Sequence, residues 1–143
     1  EDGEVQDRLH TRLSASKFPD ETPGNARGLF HTPKALHSTL LVHPGDWKFE
    51  EIVEETRRGV LVKGIVKAEL TGNVVIIMPE ATWSIVNGEV KEPIRVRSVI
   101  IPLITGLTSI TALGRQLKVR HSYEKSHIVA EVAPEIRLEA YVE

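Results

Sequence analysis

The sequence predicts an α+β domain made mainly of antiparallel β-sheet, barrel- or sandwich-like, with one well-defined amphipathic helix and a second short helix. Three observations carry this. A single two-sided stretch, PGDWKFEEIVEETRRG at 44–59, has helical periodicity. Apolar and β-branched runs follow it almost to the end of the chain. Between two of them lies Asn87-Gly88, a strong hairpin signal because both residues tolerate the positive φ of a type I′ turn.

Taken in order, residues 1–43 read as an extended, loop-rich arm with one short strand, and 44–143 as the α+β domain proper. Val5, Leu9 and Leu13 share a helical face or punctuate an irregular arm. PDETPGNARG is turn chemistry, and HSTLLVHP is a short strand ending at Pro44. Asp46 is placed to cap the main helix, whose inner face is Phe49, Ile52, Val53 and Thr56. Glu50, Glu51, Glu54 and Glu55 face water, Arg57 and Arg58 occupy the last turn, and Gly59 is a left-handed stop. Strands are then expected at Val60–Val66, Val74–Met78, Thr82–Val86, Val90–Arg97 and Val99–Ile101. A short helix over Ile104–Ala112 stops at Gly114, and strands Ile128–Val132 and Ile136–Val142 flank Pro134.

Composition excludes several functions. A net charge of −2 disfavours a non-specific grip on nucleic acid. The absence of cysteine rules out disulfides, thiolate metal sites and a cysteine nucleophile. Apolar runs fall well short of the roughly 20 residues of a membrane helix. With a polar start, no signal-peptide pattern and Glu1 in place of Met, the chain reads as part of a longer cytoplasmic protein.

Six histidines invite a metal-site reading: His10, His31, His37, His43, His121 and His127. None forms the i, i+4 helical pair of a zinc peptidase. His37 with His43, and His121 with His127, are six apart, which on an extended segment would share a face. The plainer reading is solvated or hydrogen-bonded imidazoles in loops. The helix glutamates form an ordinary solvated face, and no G-x-S-x-G elbow or glycine-rich phosphate loop is present. Arg8, Arg12 and Arg27 are candidates for gripping a partner's carboxylates, and Gly24–Gly28 for a weak anion nest. By these tests the residues make no self-contained active site.

The order of motifs nevertheless resembles the C-terminal region of the TldD/PmbA (TldE) family, once called modulator of DNA gyrase and since associated with metallopeptidase activity. The matching positions are Ser14-Ala15, Gly24-Asn25-Ala26-Arg27, Ser38-Thr39, Pro44-Gly45-Asp46, Glu51-Ile52-Val53 and Arg58-Gly59. They continue through Ser84–Val90 (SIVNGEV), Pro93-Ile94-Arg95 and Leu113-Gly114. The resemblance implies a zinc-binding H-E-x-x-x-H helix upstream and a metal-binding cysteine near the end. The corresponding place here, Ser122 to His127, has Tyr123 where the cysteine would stand, and Gly72-Asn73-Val74-Val75 replaces a G-D-F-S-like segment.

Two readings follow from the resemblance. The first is a scaffold and peptide-binding domain of the zinc-free partner subunit, with no cofactor in this chain. It would pair an extended peptide substrate and pack on a TldD-like subunit or a second copy. The second is the C-terminal part of a zinc peptidase, with His121 or His127 as the third ligand. A direct action on DNA is disfavoured by the charge.

Overall fold

A computed structural model describes residues 6–18, 20–28, 32–124 and 127–143. In chain order the elements are α1 (Arg12–Ala15), β1 (Ala26–Arg27), β2 (Lys34–Ala35), β3 (Thr39–Leu41) and α2 (Phe49–Glu54). Then come β4 (Arg58–Thr71), β5 (Val74–Val86), β6 (Glu89–Pro93), β7 (Val99–Pro102) and α3 (Leu103–Thr108). Last are β8 (Ala112–Leu113), β9 (Lys118–Glu124), β10 (His127–Ala133), β11 (Ile136–Arg137) and β12 (Tyr141–Val142). Among the described residues strand predominates, helices are short, and all but one of the strand pairings are antiparallel, as the α+β reading expected.

The chain forms two compact units. One comprises Glu1–Val42 with Lys118–Ala133. Its sheet has the order β3-β10-β9, with β3 parallel to β10 and β9 antiparallel to it. Val129 is buried on the central strand. α1 opens on a capping box: Thr11 Oγ1 accepts from the Ser14 N–H at 3.1 Å and the Thr11 N–H donates to Ser14 Oγ at 2.9 Å. Val5 lies outside the described residues; Leu9, before this one-turn helix, and Leu13, within it, are both exposed. β9 was not anticipated. Its Val119, His121 and Tyr123 do alternate with Lys118, Arg120 and Ser122, but the polar tips of His121 and Tyr123 blur the pattern.

The other unit comprises His43–Leu117 and Pro134–Glu143. Its centre is β5, which pairs β4 along one side and, on the other, β7 near its start and β6 near its end. β12 extends β7. Ile52, Val53, Ile85, Val99 and Ala112 form the buried core. The predicted Asn87-Gly88 turn is present, with φ of 50° and 80° at its two residues. A second two-residue turn, Gly72-Asn73, closes β4 onto β5 with positive φ at Gly72 alone, as in a type II′ turn.

Several boundaries differ from expectation, and each for a tertiary reason. Asp46 does not cap α2, because residues 45–47 are paired elsewhere. The Gly45 N–H donates to Gly114 O at 2.9 Å, the Trp47 N–H to Leu113 O at 3.3 Å, and the Arg115 N–H to Trp47 O at 2.9 Å. The helix therefore starts later, at Lys48, whose N–H donates to the Glu51 carboxylate at 2.8 Å. Gly59 lies inside β4 rather than serving as a left-handed stop. The helix end is closed instead by the residues that follow it: the Glu55 N–H donates to Glu51 O at 3.0 Å, the Thr56 N–H to Val53 O at 2.9 Å and the Thr56 hydroxyl to Ile52 O at 2.7 Å. Just beyond, the Asn87 N–H donates to Arg57 O at 2.7 Å and the Gly88 N–H to Thr56 O at 3.0 Å.

The two strands expected on either side of Pro79 are one strand. Pro79 lies beside the register shift of β4 and between the stretches of β5 that pair β7 and β6, where a missing N–H is tolerated. The second helix ends at Thr108, because Thr111 and β8 are drawn into pairing with β11, and Gly114 meets Glu135 backbone rather than stopping a helix. Conversely, 136–142 is not one strand: β11 pairs β8 while β12 pairs β7, in different sheets.

Candidate functional site

The longest exposed main-chain edge belongs to β4. Among the described residues this 14-residue strand pairs only with β5, so its outer N–H and C=O groups face away from the sheet. It is not flat. Gly64 has φ +74° opposite Glu80, and the register shifts between Ile65 and Lys67, so the strand kinks halfway along. Beyond the kink Val66 and Leu70 are 68% and 63% exposed, and Lys67 pairs with Glu69 at 2.5 Å. Lys63 stands 5.3 Å from the centre of the Trp83 ring. An exposed strand edge carrying apolar side chains can accept an extended chain by main-chain hydrogen bonds.

Two shallow recesses lie in the same unit. One, of about 230 Å³, is lined by Trp47, Phe49, Lys48, Glu50, Arg115 and Glu135, charges of both signs. The Arg137 guanidinium lies 5.6 Å from the Trp47 ring centre and donates to Thr111 Oγ1 at 2.9 Å. The other, about 260 Å³, lies between Pro79–Thr82 of β5 and Pro93–Val96. Its floor is the buried Thr82, whose hydroxyl donates to Ile94 O at 2.5 Å while the Ile94 N–H donates to Thr82 O at 3.0 Å. Thr82→Val should cost about 1–2 kcal/mol in a denaturant melt, since it leaves one carbonyl short of a partner.

The histidines are scattered. His10 is buried, its Nδ1 3.0 Å from Ser14 Oγ and its Nε2 3.7 Å from the Glu21 carboxylate. Nearby, the backbone N–H of Arg8 holds the Asp7 carboxyl below its ordinary pKa, with Glu21 adding to the effect. His31 lies outside the described residues. Among the described residues the buried Nε2 of His37 and of His127, like that of His10, has no hydrogen-bond partner, and His43 is exposed. His121 pairs with Ala130 and His127 with Glu124. In the antiparallel register of β9 and β10, these two imidazoles stand on opposite faces of the sheet. Among the described residues no three His, Cys, Asp or Glu side chains converge as a metal set would. Arg27 bends back onto Gly24 O and Ala26 O, at 3.3 and 3.0 Å, and so serves its own turn.

The motif glycines have structural work. A Cβ on Gly45 would lie 2.4 Å from Leu113 O, one on Gly88 2.7 Å from Glu54 O, and one on Gly114 2.5 Å from the Glu135 carboxylate. The glycines of the PGD, NG and LG signatures thus mark close approaches of the chain. The open β4 edge was the feature least visible in the sequence. Its one signal was an apolar run, Val60 to Val66, flanking a glycine that strand propensity alone does not explain.

The fold is an antiparallel α+β assembly whose signature glycines lie at close approaches to backbone. The model of the PmbA/TldA metallopeptidase C-terminal domain matches residues 1–141, and the chain belongs to that family. A metalloprotease of Methanocaldococcus jannaschii is 39% identical over 66 residues, covering 45% of this chain and 14% of that protein. A metalloprotease of Methanothermobacter thermautotrophicus is 28% identical over 122 residues, covering 83% of this chain and 27% of that one.

Among solved structures, TldE from Thermococcus kodakarensis superposes with TM-score 0.69 at 18% identity, covering 90% of this chain and 29% of its own. A Thermotoga maritima protein described as a modulator of a DNA gyrase gives TM-score 0.73 at 22% identity, covering 99% and 31%. At these identities the structures establish the fold. The chain spans less than a third of the length of each of these proteins. No described helix is long and apolar enough to cross a membrane.

Proposed function

We propose that this chain is the C-terminal scaffold and peptide-binding domain of a TldD/PmbA-type protein, acting in proteolysis as the zinc-free partner of a metal-bearing, TldD-like subunit in the cytoplasm. The observation that carries this reading is the outer edge of β4: a kinked 14-residue strand with one paired side and exposed apolar residues along it. It offers an extended peptide alternating donors and acceptors, with Val66 and Leu70 available to its side chains. The exposed Ile104, Leu107 and Tyr141 of the same unit are apolar surface of the kind that packs on another subunit.

The test is a titration of the full-length protein, with its partner subunit, against an extended peptide and two N-methylated versions. One version carries methyls on the odd amides, the other on the even amides. Strand addition uses alternate amides, so one should lose at least about tenfold in affinity while the other binds like the parent. Equal binding by all three would rule out pairing at a strand edge.

A second reading keeps the zinc in this polypeptide, bound by an upstream helix with His127 or His121 as a further ligand. It is favoured by the buried Nε2 of His127, which has no hydrogen-bond partner among the described residues. Metal analysis of the full-length chain, purified without its partner, separates the two. One zinc per chain that is lost in His127→Ala or His121→Ala supports the second reading; no bound zinc supports the first.

A further inference from the structure

We propose that Asn87 is a deamidation site whose reactivity is gated by the docking of the β5–β6 turn on the end of α2. Asn87 is exposed and is followed by glycine, so no Cβ shields the attacking backbone nitrogen. The fold does not permit a slower neighbour there. Position 88 has φ +80°, and a Cβ would lie 2.7 Å from Glu54 O and 3.1 Å from Glu54 Cα. The close approach of the turn to Glu54 therefore requires the chemically labile pair.

The reaction needs no outside oxidant or reductant. The Gly88 nitrogen, losing its proton, bonds to the Asn87 side-chain carbonyl carbon, and the amide nitrogen leaves as ammonia. A succinimide ring remains. One water then opens the ring at either carbonyl, giving aspartate or isoaspartate. In the docked turn this path is blocked, because the Gly88 N–H is held by Thr56 O at 3.0 Å and the Asn87 N–H by Arg57 O at 2.7 Å. Ring closure must wait for the turn to lift off the helix, a local opening. The product does not re-dock equivalently. Isoaspartate adds a methylene to the main chain inside a two-residue turn, so the hydrogen bonds to Arg57 O and Thr56 O cannot re-form together.

The other asparagines serve as internal references. Asn73 and Asn25 precede Val74 and Ala26, whose Cβ atoms hinder the same attack. The experiment incubates the full-length protein at mildly alkaline pH, native and unfolded in guanidinium, and follows deamidation at each asparagine by peptide-mapping mass spectrometry. The expected result is conversion at Asn87 ahead of Asn73 and Asn25 in the unfolded chain. Conversion at Asn87 should be at least about tenfold slower in the native protein, since the native reaction draws only on the opened population. The isolated isoaspartyl form should lose hydrogen-exchange protection over Phe49–Thr56. Equal rates in the native and unfolded states would overturn the gate, and earlier conversion at Asn73 or Asn25 would overturn the site.

Discussion

Gly88→Val is expected to destabilise the protein by about 3–5 kcal/mol, enough to unfold much of a domain of ordinary stability. Two costs add. Gly88 has φ +80°, a conformation a β-branched residue scarcely adopts, worth about 1–2 kcal/mol for any L side chain and more for valine. The new Cβ would also stand 2.7 Å from Glu54 O, a main-chain atom that cannot rotate away. Moving the turn off the helix forfeits the hydrogen bonds that Asn87 and Gly88 donate to Arg57 O and Thr56 O. Each is worth about 1 kcal/mol. Guanidinium unfolding followed by far-ultraviolet circular dichroism measures the change. A midpoint within about 0.5 kcal/mol of the parent would mean the turn does not rest on the helix.

Gly45→Ala should cost about 2–4 kcal/mol, although Gly45 has no positive φ and alanine is otherwise the milder residue. The cause is proximity alone. A Cβ would lie 2.4 Å from Leu113 O and 2.8 Å from Leu113 Cβ, in the middle of the 45–47 and 113–115 backbone pairing. The two segments would have to part, releasing Trp47 from that pairing. Tryptophan emission should therefore shift to the red at denaturant concentrations the parent withstands. Gly72→Ala is the contrast. Gly72 has φ +60° but nothing within 4 Å of a new Cβ, so only the backbone preference is lost, about 1 kcal/mol. If the two variants were equally stable, the close approach at Gly45 would carry no energy.

Legibility followed the range of the interactions involved. The Asn87-Gly88 turn could be read because two adjacent residues decide it, and the inner face of α2 because Phe49, Ile52, Val53 and Thr56 repeat at helical spacing, of which Ile52 and Val53 are buried. The start of α2 could not. Asp46 is a good cap in isolation, but its neighbours Gly45 and Trp47 are claimed by Leu113, Gly114 and Arg115, nearly seventy positions away. The same is true of Pro79, which looks like a strand break until β4 is seen to change register beside it. For the candidate site, the sequence supplied the apolar residues of β4 but not the fact that one side of that strand stays open, since edge or centre depends on how many strands arrive. The histidine spacing misled for a related reason: an even separation means one face only within one strand, and His121 and His127 lie on two antiparallel strands.

What the sequence by itself determined was local: which stretches favour strand, which residues face inward on the one clear helix, where glycine and asparagine bend the chain, and that cysteine chemistry is absent. Tertiary structure alone decided where elements begin and end, that β3 runs parallel to β10, that 136–142 divides between two sheets, and that β4 lies at an edge. The physical reason is competition for backbone hydrogen bonds. A local cap and a remote strand partner each offer about 1 kcal/mol to the same N–H group, and which one prevails depends on the packing that brings the remote strand near.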